Sequence, residues 1–232
     1  MIKETYLDSA KQCCENSRRL LDEAQLLEFE KPPSTRYYLS MIAQEEAAKA
    51  FLLYLVAVDA LPWTPFLLRA TRDHRCKQLV GVILDYISPD TDEFIRRMDI
   101  LILEKRQLEL PRTVADSMNL LRHEKIRRWE SGSWVWAKDP EYDKSAIEVA
   151  DGKRDMDKQR ALYVELGSNG QVSTLPKQVT VNQTNNEYER GHRFEACVRG
   201  LVEDGTYPAW DIERVEGCFK ALFSQSSAFI ES

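Results

Sequence analysis

The fold is decided by the stretch Tyr37–Lys77, which reads YYLSMIAQEEAAKAFLLYLVAVDALPWTPFLLRATRDHRCK. Its first part has apolar residues on more than one side of a helix, which predicts a helix from Tyr37 to Val58 buried in the core. This helix nevertheless carries Glu45, Glu46 and Lys49. Because an unpaired buried charge is costly, we expect these side chains either to have partners or to lie on an edge that reaches solvent.

A second helix is predicted after Leu61-Pro62-Trp63, with Thr64 as its N-cap and Pro65 in its first turn. The pattern predicts one continuous helix to about Ile87, which carries Arg69 and, five residues later, His74. Arg69, Asp73 and Lys77 follow at intervals of four, the spacing of a surface salt-bridge ladder. The position of Arg69 about one turn from the helix start favours a second interpretation, an anion site. The sequence leaves both open.

Helical patterns dominate the rest of the chain, with two exceptions. Gly152 weakens one helix, and Asn169-Gly170 predicts a short β-hairpin over about 162–175. The other predicted helices run from about Ile2 to Glu30, Thr91 to Leu108, Thr113 to Trp129, Lys144 to Gln159, Gln183 to Glu203 and Pro208 to Phe223. We therefore predict an all-α antiparallel bundle, with a helical core at 1–130 and a helical extension at 131–232 packed on it.

Composition narrows the function classes. The 232 residues carry a net charge of -6, which disfavours non-specific duplex binding. An odd number of cysteines, five, without a Cys-x-x-Cys pair indicates reduced thiols and a cytoplasmic location. The most apolar run, Ala50–Ala60, is shorter than the roughly twenty residues that cross a bilayer, so we expect no membrane association. Three scattered histidines favour no metal site.

Two other segments of the chain are rich in basic residues. The residues from Arg122 to Arg128, together with Trp129, Trp134 and Trp136, combine positive charge with stacking surfaces, as single-stranded RNA binding requires. A solvated helix end with tryptophans in the core also explains these residues, and we favour that explanation. The segment Arg190-x-His192-Arg193 is predicted to lie at the surface.

Several of these residues follow one another in an order found in a known family. Glu45-Glu46-x-x-Lys49, followed by Asp73-His74-Arg75-x-Lys77, resembles the AbiV-type abortive-infection proteins, a branch of the HEPN superfamily. Arg160–Glu165 and the helix with Glu195, Ala196 and Val198 are also similar. The likeness is strongest over residues 8–85. It implies a HEPN-like helical bundle without a cofactor, and a homodimer.

The resemblance also implies an activity. Many HEPN proteins are metal-independent endoribonucleases whose motif, Arg followed after four to six residues by His, maps onto Arg69 and His74. His74 would then be the general acid/base and Arg69 the phosphate clamp, leaving 2′,3′-cyclic phosphate and 5′-OH ends on the RNA substrate. Two such pairs would meet in a dimer, and a phage-encoded protein would serve as activator or partner. The expected supporting residues are Glu45 or Glu46 to orient Arg69, Arg72 or Lys77 to widen the positive site, and Lys49 and Asp73.

Two alternatives stay open. In HEPN proteins the residue after the arginine is usually polar, whereas here it is Ala70. Ala70 and the acidic net charge favour a non-catalytic binding or sensor module that recognises a phage or host protein or a nucleotide. A purely structural dimer, in which the charged residues only fix the register, would also explain a buried Glu and Lys.

Overall fold

The computed structural model describes residues 2–104, 108–132, 141–176, 179–203, 205 and 208–224. These ranges contain a two-stranded antiparallel sheet, β1 (Glu165–Leu166) and β2 (Val172–Thr174), and one π-helical segment (Leu120–Ile126). All other regular structure is α-helical: α1 (Ile2–Leu26), α2 (Ser34–Ala57), α3 (Pro65–Ala70), α4 (His74–Ile87), α5 (Thr91–Leu103), α6 (Arg112–Asn119), α7 (Arg127–Ser131), α8 (Lys144–Ala150), α9 (Lys153–Arg160), α10 (Val181–Glu203) and α11 (Ile212–Ser224). The predicted all-α class with a late hairpin is confirmed. In the ranges described, no helix has the length and apolar character needed to span a bilayer.

Helix α2 forms the centre of the bundle. It packs against α1, α10 and α4, and nearly every residue from Ala47 to Ala57 is buried. Helix α10 also packs on α1, where Gly191 permits a close approach, because an added Cβ would lie 2.9 Å from Leu21 Cδ2. The three helices α1, α2 and α10 are therefore in mutual contact, and Glu45 of α2 is 3% exposed.

The helix predicted from Thr64 to Ile87 is broken, and the expectation of one continuous helix was wrong. Asp73 has an extended backbone, and its side chain accepts a hydrogen bond from the Cys76 N–H at 2.9 Å. An Asp in this role caps a new helix, so α4 begins at His74 and α3 ends at Ala70. Arg69 consequently lies in the last turn of α3, and the predicted anion site at a helix start does not apply to it.

The predicted surface ladder is also absent from this region. Lys77 is buried and pairs with Glu45, while Asp73 is used as the cap of α4. The break between α3 and α4 rotates the two segments out of a common helical phase, so a spacing of four no longer places Arg69, Asp73 and Lys77 in one row.

Gly152, which was expected only to weaken a helix from Lys144 to Gln159, divides that helix into α8 and α9. Its φ of +90° is unfavourable for other residues, and an added Cβ would lie 2.7 Å from Arg75 Nε. The hairpin has five residues between its strands instead of a tight two-residue turn, with Gly170 at a φ of +76°. The turn at Gly152 directs α9 back towards α2 and α4.

Candidate active site

The buried carboxylate of Glu45 has partners from two other helices. Its Oε2 lies 2.5 Å from His74 Nδ1 and 3.0 Å from Lys77 Nζ, both on α4. Its Oε1 lies 2.7 Å from Lys158 Nζ on α9 and accepts a 3.3 Å hydrogen bond from Gln78 Nε2. We refer to these five residues as the Glu45 cluster.

Local sequence explains how α4 and α9 supply these groups. His74, Lys77 and Gln78 are spaced i, i+3 and i+4, so they share one face of α4, and the Asp73 cap fixes where that face begins. Lys158 lies in the last turn of α9, with Asp155 one turn earlier. Asp155 Oδ1 is 2.9 Å from Lys158 Nζ and gives this lysine a second acidic partner.

The electrostatics of the cluster favour its charged forms. Burial raises the pKa of Glu45, but the charges of Lys77 and Lys158 and the hydrogen bonds from Lys158 and His74 outweigh burial and bring this pKa below its ordinary value. Burial lowers the pKa of Lys158, whereas Glu45 and Asp155 raise it, and the net shift is upward. At neutral pH Glu45 is therefore a carboxylate and Lys158 an ammonium group.

The hydrogen bond to Glu45 sets the tautomer of His74. A carboxylate can only accept, so Nδ1 must carry the proton that joins the two groups. In a neutral ring bound in this way Nε2 has the lone pair, and 48% of the side chain is exposed. A carboxylate that orients an imidazole in this way lets the ring take up a proton at its far nitrogen and stabilises the resulting cation.

Three of these groups could also surround a metal ion. Single ligand atoms of Glu45, His74 and Asp155 all lie within 4.8 Å of one another. Lys158 Nζ, however, lies among them, at 2.7 Å from Glu45 Oε1, 2.9 Å from Asp155 Oδ1 and 3.2 Å from His74 Nδ1. A charged ammonium group in this position repels a divalent cation and supplies positive charge itself. The set of ligands therefore fits the lysine better than a metal.

Arg69 lies on a different surface from the Glu45 cluster. Its Cζ is 4.3 Å from the centre of the Trp129 ring, a cation–π contact between α3 and α7. Within the described ranges no ion pair joins Arg69 to Glu45 or Glu46. Arg69 is therefore in contact with the ring of Trp129 and not, as expected, with a glutamate of α2.

A groove of about 470 Å³ runs along this contact, and its lining includes four cationic and two acidic side chains. We call it the basic groove; it is lined by Arg69, Asp73, Arg75, Glu124, Lys125, Arg128, Trp129 and Gly132. His74 lies between Asp73 and Arg75 in the chain but is not among the lining residues. Arg69 from the predicted motif and Lys125, Arg128 and Trp129 from the basic segment therefore line one groove, next to the start of α4.

The remaining members of the basic segment are placed differently. Arg122 is buried, with its Cζ 4.8 Å from the centre of the Phe223 ring and Nη1 2.9 Å from Glu130 Oε2. Trp134 and Trp136 lie outside the described residues. Of this basic segment, the structure thus brings Lys125, Arg128 and Trp129 to the groove.

The other supporting residues lie on a third surface. Lys49 Nζ is 2.5 Å from Glu46 Oε1, and Glu46 Oε2 accepts a 3.1 Å hydrogen bond from Asn16 Nδ2. Arg72 is exposed, and it lines a second cavity together with Lys49. Glu46, Lys49 and Arg72 are therefore not part of the Glu45 cluster.

Arg190 corrects another expectation, because it is buried and not at the surface. Its Nε lies 2.9 Å from both carboxylate oxygens of Asp85, and its Nη1 donates to Gln44 Oε1 at 2.9 Å. Glu187 Oε2 accepts from Gln44 Nε2 and Arg154 Nη2, each at 2.8 Å. The polar sequence of α10 gave no sign of this burial, because the partners of Arg190 lie on other helices, α2 and α4.

Sequence reasoning also missed Lys158, Asp155 and Gln78. Lys158 lies in the strongly polar segment KRDMDKQR, which gives no local sign of burial. The one available signal was indirect: Glu45 in an apolar helix required a cation from elsewhere in the chain.

A comparison with known protein families gives a match over most of the chain. The family model of the AbiV proteins, HEPN_AbiV, matches residues 5–195, which include α1 to α9, the hairpin and most of α10. No curated protein and no solved structure matches the chain. The matched region contains the Glu45 cluster and the basic groove. The chain belongs to the AbiV family of abortive-infection proteins with a HEPN domain.

Proposed function

We propose that this protein is a cytoplasmic effector of bacterial antiphage defence that cleaves RNA without a metal ion and acts as a homodimer. The observation that carries the proposal is the half-exposed His74 ring, held through Nδ1 by a buried, ionised Glu45. This geometry supports a ring that exchanges protons at Nε2, as cleavage of a ribose–phosphate chain requires.

The proposed reaction is an internal transfer of the phosphoryl group. Nε2 of His74 takes the proton of the ribose 2′-OH, and that oxygen attacks the adjacent phosphorus. The bond from phosphorus to the 5′ oxygen breaks, and the leaving oxygen takes up a proton. The products are a 2′,3′-cyclic phosphate and a 5′-OH end, with no oxidant, reductant or water consumed. Glu45 stabilises the imidazolium ion formed in the first step.

The basic groove supports RNA as the substrate. Arg69, Arg75, Lys125 and Arg128 offer cations to phosphates, and Trp129 offers an aromatic face to a base. Arg69 is the proposed phosphate clamp, since its planar guanidinium matches two phosphate oxygens. It now stacks on Trp129, so substrate binding would have to share or replace this contact.

A homodimer would complete the chemistry. With two imidazoles, an unprotonated His74 can take the proton of the 2′-OH while a protonated His74 from the partner gives a proton to the leaving 5′ oxygen in the same step. Lys77 and Lys158 keep Glu45 ionised, and Asp73 holds His74 at the start of α4. Lys49, Glu46 and Arg72 would act at a distance from the reacting atoms in this scheme.

The test compares wild-type protein with His74→Ala and His192→Ala, using total RNA and a chelator. His192 is a matched control, because it is another partly buried histidine and lies on α10. Wild type and His192→Ala should produce 2′,3′-cyclic phosphate ends, and His74→Ala should produce at least about a hundredfold less. Equal decay with His74→Ala, in protein shown to be folded by circular dichroism, would refute the proposed role.

The alternative is a non-catalytic module that binds a phage or host protein or a nucleotide. Ala70, completely buried in the core, favours it, because the residue after Arg69 offers no polar group to a substrate. In that case His74→Ala would leave protection against phage unchanged in infected cells. Loss of protection together with loss of the cyclic phosphate ends would favour the ribonuclease.

A further inference from the structure

A second cavity, separate from the basic groove, lies between α1, α2 and the turn after α3. It has a volume of about 630 Å³, within the roughly 300–1,000 Å³ of small-molecule sites. We call it the α1–α3 pocket, and its main lining residues are Tyr6, Lys49, Leu53, Trp63, Leu68 and Arg72. The proposed RNA cleavage does not use this pocket.

The aromatic groups of the pocket offer a stacking surface. The rings of Tyr6 and Trp63 have their centres 5.3 Å apart and are tilted by 47°. Trp63 is 39% exposed, a large fraction for a tryptophan, so part of its ring is available to a ligand. Leu53 and Leu68 add aliphatic contacts. A flat heteroaromatic ring suits this combination.

The cations of the pocket offer an anion site beside these rings. Lys49 has three N–H donors, and the 2.5 Å ion pair with Glu46 uses one of them. Arg72 is exposed, and within the described ranges it forms no ion pair. A ligand that bridged both residues would gain charge-assisted hydrogen bonds, which are about twice as strong as neutral ones.

From this combination we infer that the α1–α3 pocket binds a free nucleotide, with the base against Trp63 and Tyr6 and the phosphates on Lys49 and Arg72. The pocket also reaches the proposed active site through one turn of chain. Leu68, Thr71 and Arg72 line the pocket, whereas Arg69 and Asp73, from the other side of the same turn, line the basic groove. A bound nucleotide would therefore contact the turn that leads into His74.

The test is calorimetric titration of the full-length protein with ADP, adenosine and pyrophosphate. We expect one ADP to bind per chain, with adenosine and pyrophosphate each binding at least about tenfold more weakly, because each has only half of the recognised chemistry. Absence of binding up to millimolar ADP would overturn the inference, as would adenosine or pyrophosphate binding as tightly as ADP. A hexa-adenylate without terminal phosphates that displaced ADP would also overturn it, since the ligand would then be RNA.

Matched variants locate the site. Arg72→Ala and Trp63→Ala should each weaken ADP binding about tenfold or more, whereas Arg96→Ala, which removes an exposed cation from α5, should not change it. Unchanged binding by folded Arg72→Ala protein would overturn the inference. The titration is repeated with His74→Ala, where equal ADP binding is expected. Its result is thus independent of whether the protein cleaves RNA.

Discussion

The carboxylate of Glu45 and the imidazole of His74 are joined by a 2.5 Å hydrogen bond that connects a buried charge to a half-exposed ring. The partners of Glu45 are brought by α4 and α9, so this single side chain links three helices. The same contact therefore bears on stability and on the proposed chemistry, and the two can be measured separately.

Replacing Glu45 with Gln should destabilise the protein by about 3–5 kcal/mol, because Lys77 would be left buried without its countercharge and Lys158 would keep only Asp155. Urea denaturation at pH 7 measures the free energy of unfolding. Glu148→Gln is the control, since this exposed glutamate forms a surface ion pair with Lys153, and the loss of that pair should have no measurable effect. Equal stability of Glu45→Gln and wild type would contradict the importance of the cluster.

The lowered pKa of Glu45 makes a prediction about acid. A carboxyl group with a lower pKa in the folded state stabilises the protein above its unfolded value, near 4.5, and this contribution is lost as pH falls through the folded pKa. Unfolding free energies measured from pH 7 to pH 3 should therefore fall more steeply for wild type than for Glu45→Gln. Parallel curves would mean that Glu45 titrates alike in both states.

Lys158 occupies the place of a cation among three potential ligands, so its removal should create a metal site. Lys158→Ala protein should bind Zn²⁺ at least about tenfold more tightly than wild type, through Glu45, His74 and Asp155. Calorimetric titration with Zn²⁺ checks this. The double variant Lys158→Ala/His74→Ala should lose the gain; if it binds equally well, the metal is held elsewhere.

Arg190→Lys should be destabilising although it keeps the charge. Lysine cannot reproduce the contacts of the guanidinium with Asp85 and Gln44, and we expect a loss of roughly 2–3 kcal/mol. Arg19→Lys, at an exposed position of α1, should stay within about 0.5 kcal/mol of wild type. Equal effects of the two changes in urea denaturation would show that the hydrogen-bonding geometry of the buried Arg190 guanidinium is unimportant.

Two glycines should respond to alanine in opposite directions. At Gly217 in α11 nothing lies within 4 Å of an added Cβ, so Gly217→Ala should stabilise the protein by about 0.5–1 kcal/mol through helix propensity. At Gly191 the added Cβ would press on Leu21, and we expect a cost of about 1–3 kcal/mol. Thermal denaturation of both variants decides this; a higher melting temperature for Gly191→Ala would mean that α1 and α10 can separate at little cost.

Local signals in the sequence predicted much of the fold. The cap at Thr64, with Pro65 in the first turn, and the hairpin around Gly170 depend on neighbouring residues, and each has a counterpart in the structure. Gly152 was predicted to weaken a helix, and it divides that helix into two. The break at Asp73 was missed although its signal was also local. An Asp at this position can cap a new helix, but it can equally form salt bridges along a continuous helix, and the sequence does not distinguish the two.

The candidate site was predictable only in part. His74 and Glu45 were found through the family resemblance and through the rule that a charge in an apolar helix needs a partner. Lys158 could not be found, because it is 113 residues from Glu45 and lies in a helix with no apolar pattern. The burial of Arg190 was missed for the same reason, because its partner Gln44 is 146 residues away in the chain. Long-range ion pairs leave no periodic trace in a sequence.

The distance in sequence between Glu45 and Lys158 also limits how such chains can recombine. The upstream half contributes Glu45 and Lys77, and the downstream half contributes Lys158 and Asp155. A chimera that joins α1–α7 of this chain to the remainder of a relative keeps the ion pair at Glu45 Oε1 only if that relative carries a cation at the position of Lys158. Shuffled libraries of AbiV sequences should therefore yield folded members mainly where both parents encode this pair.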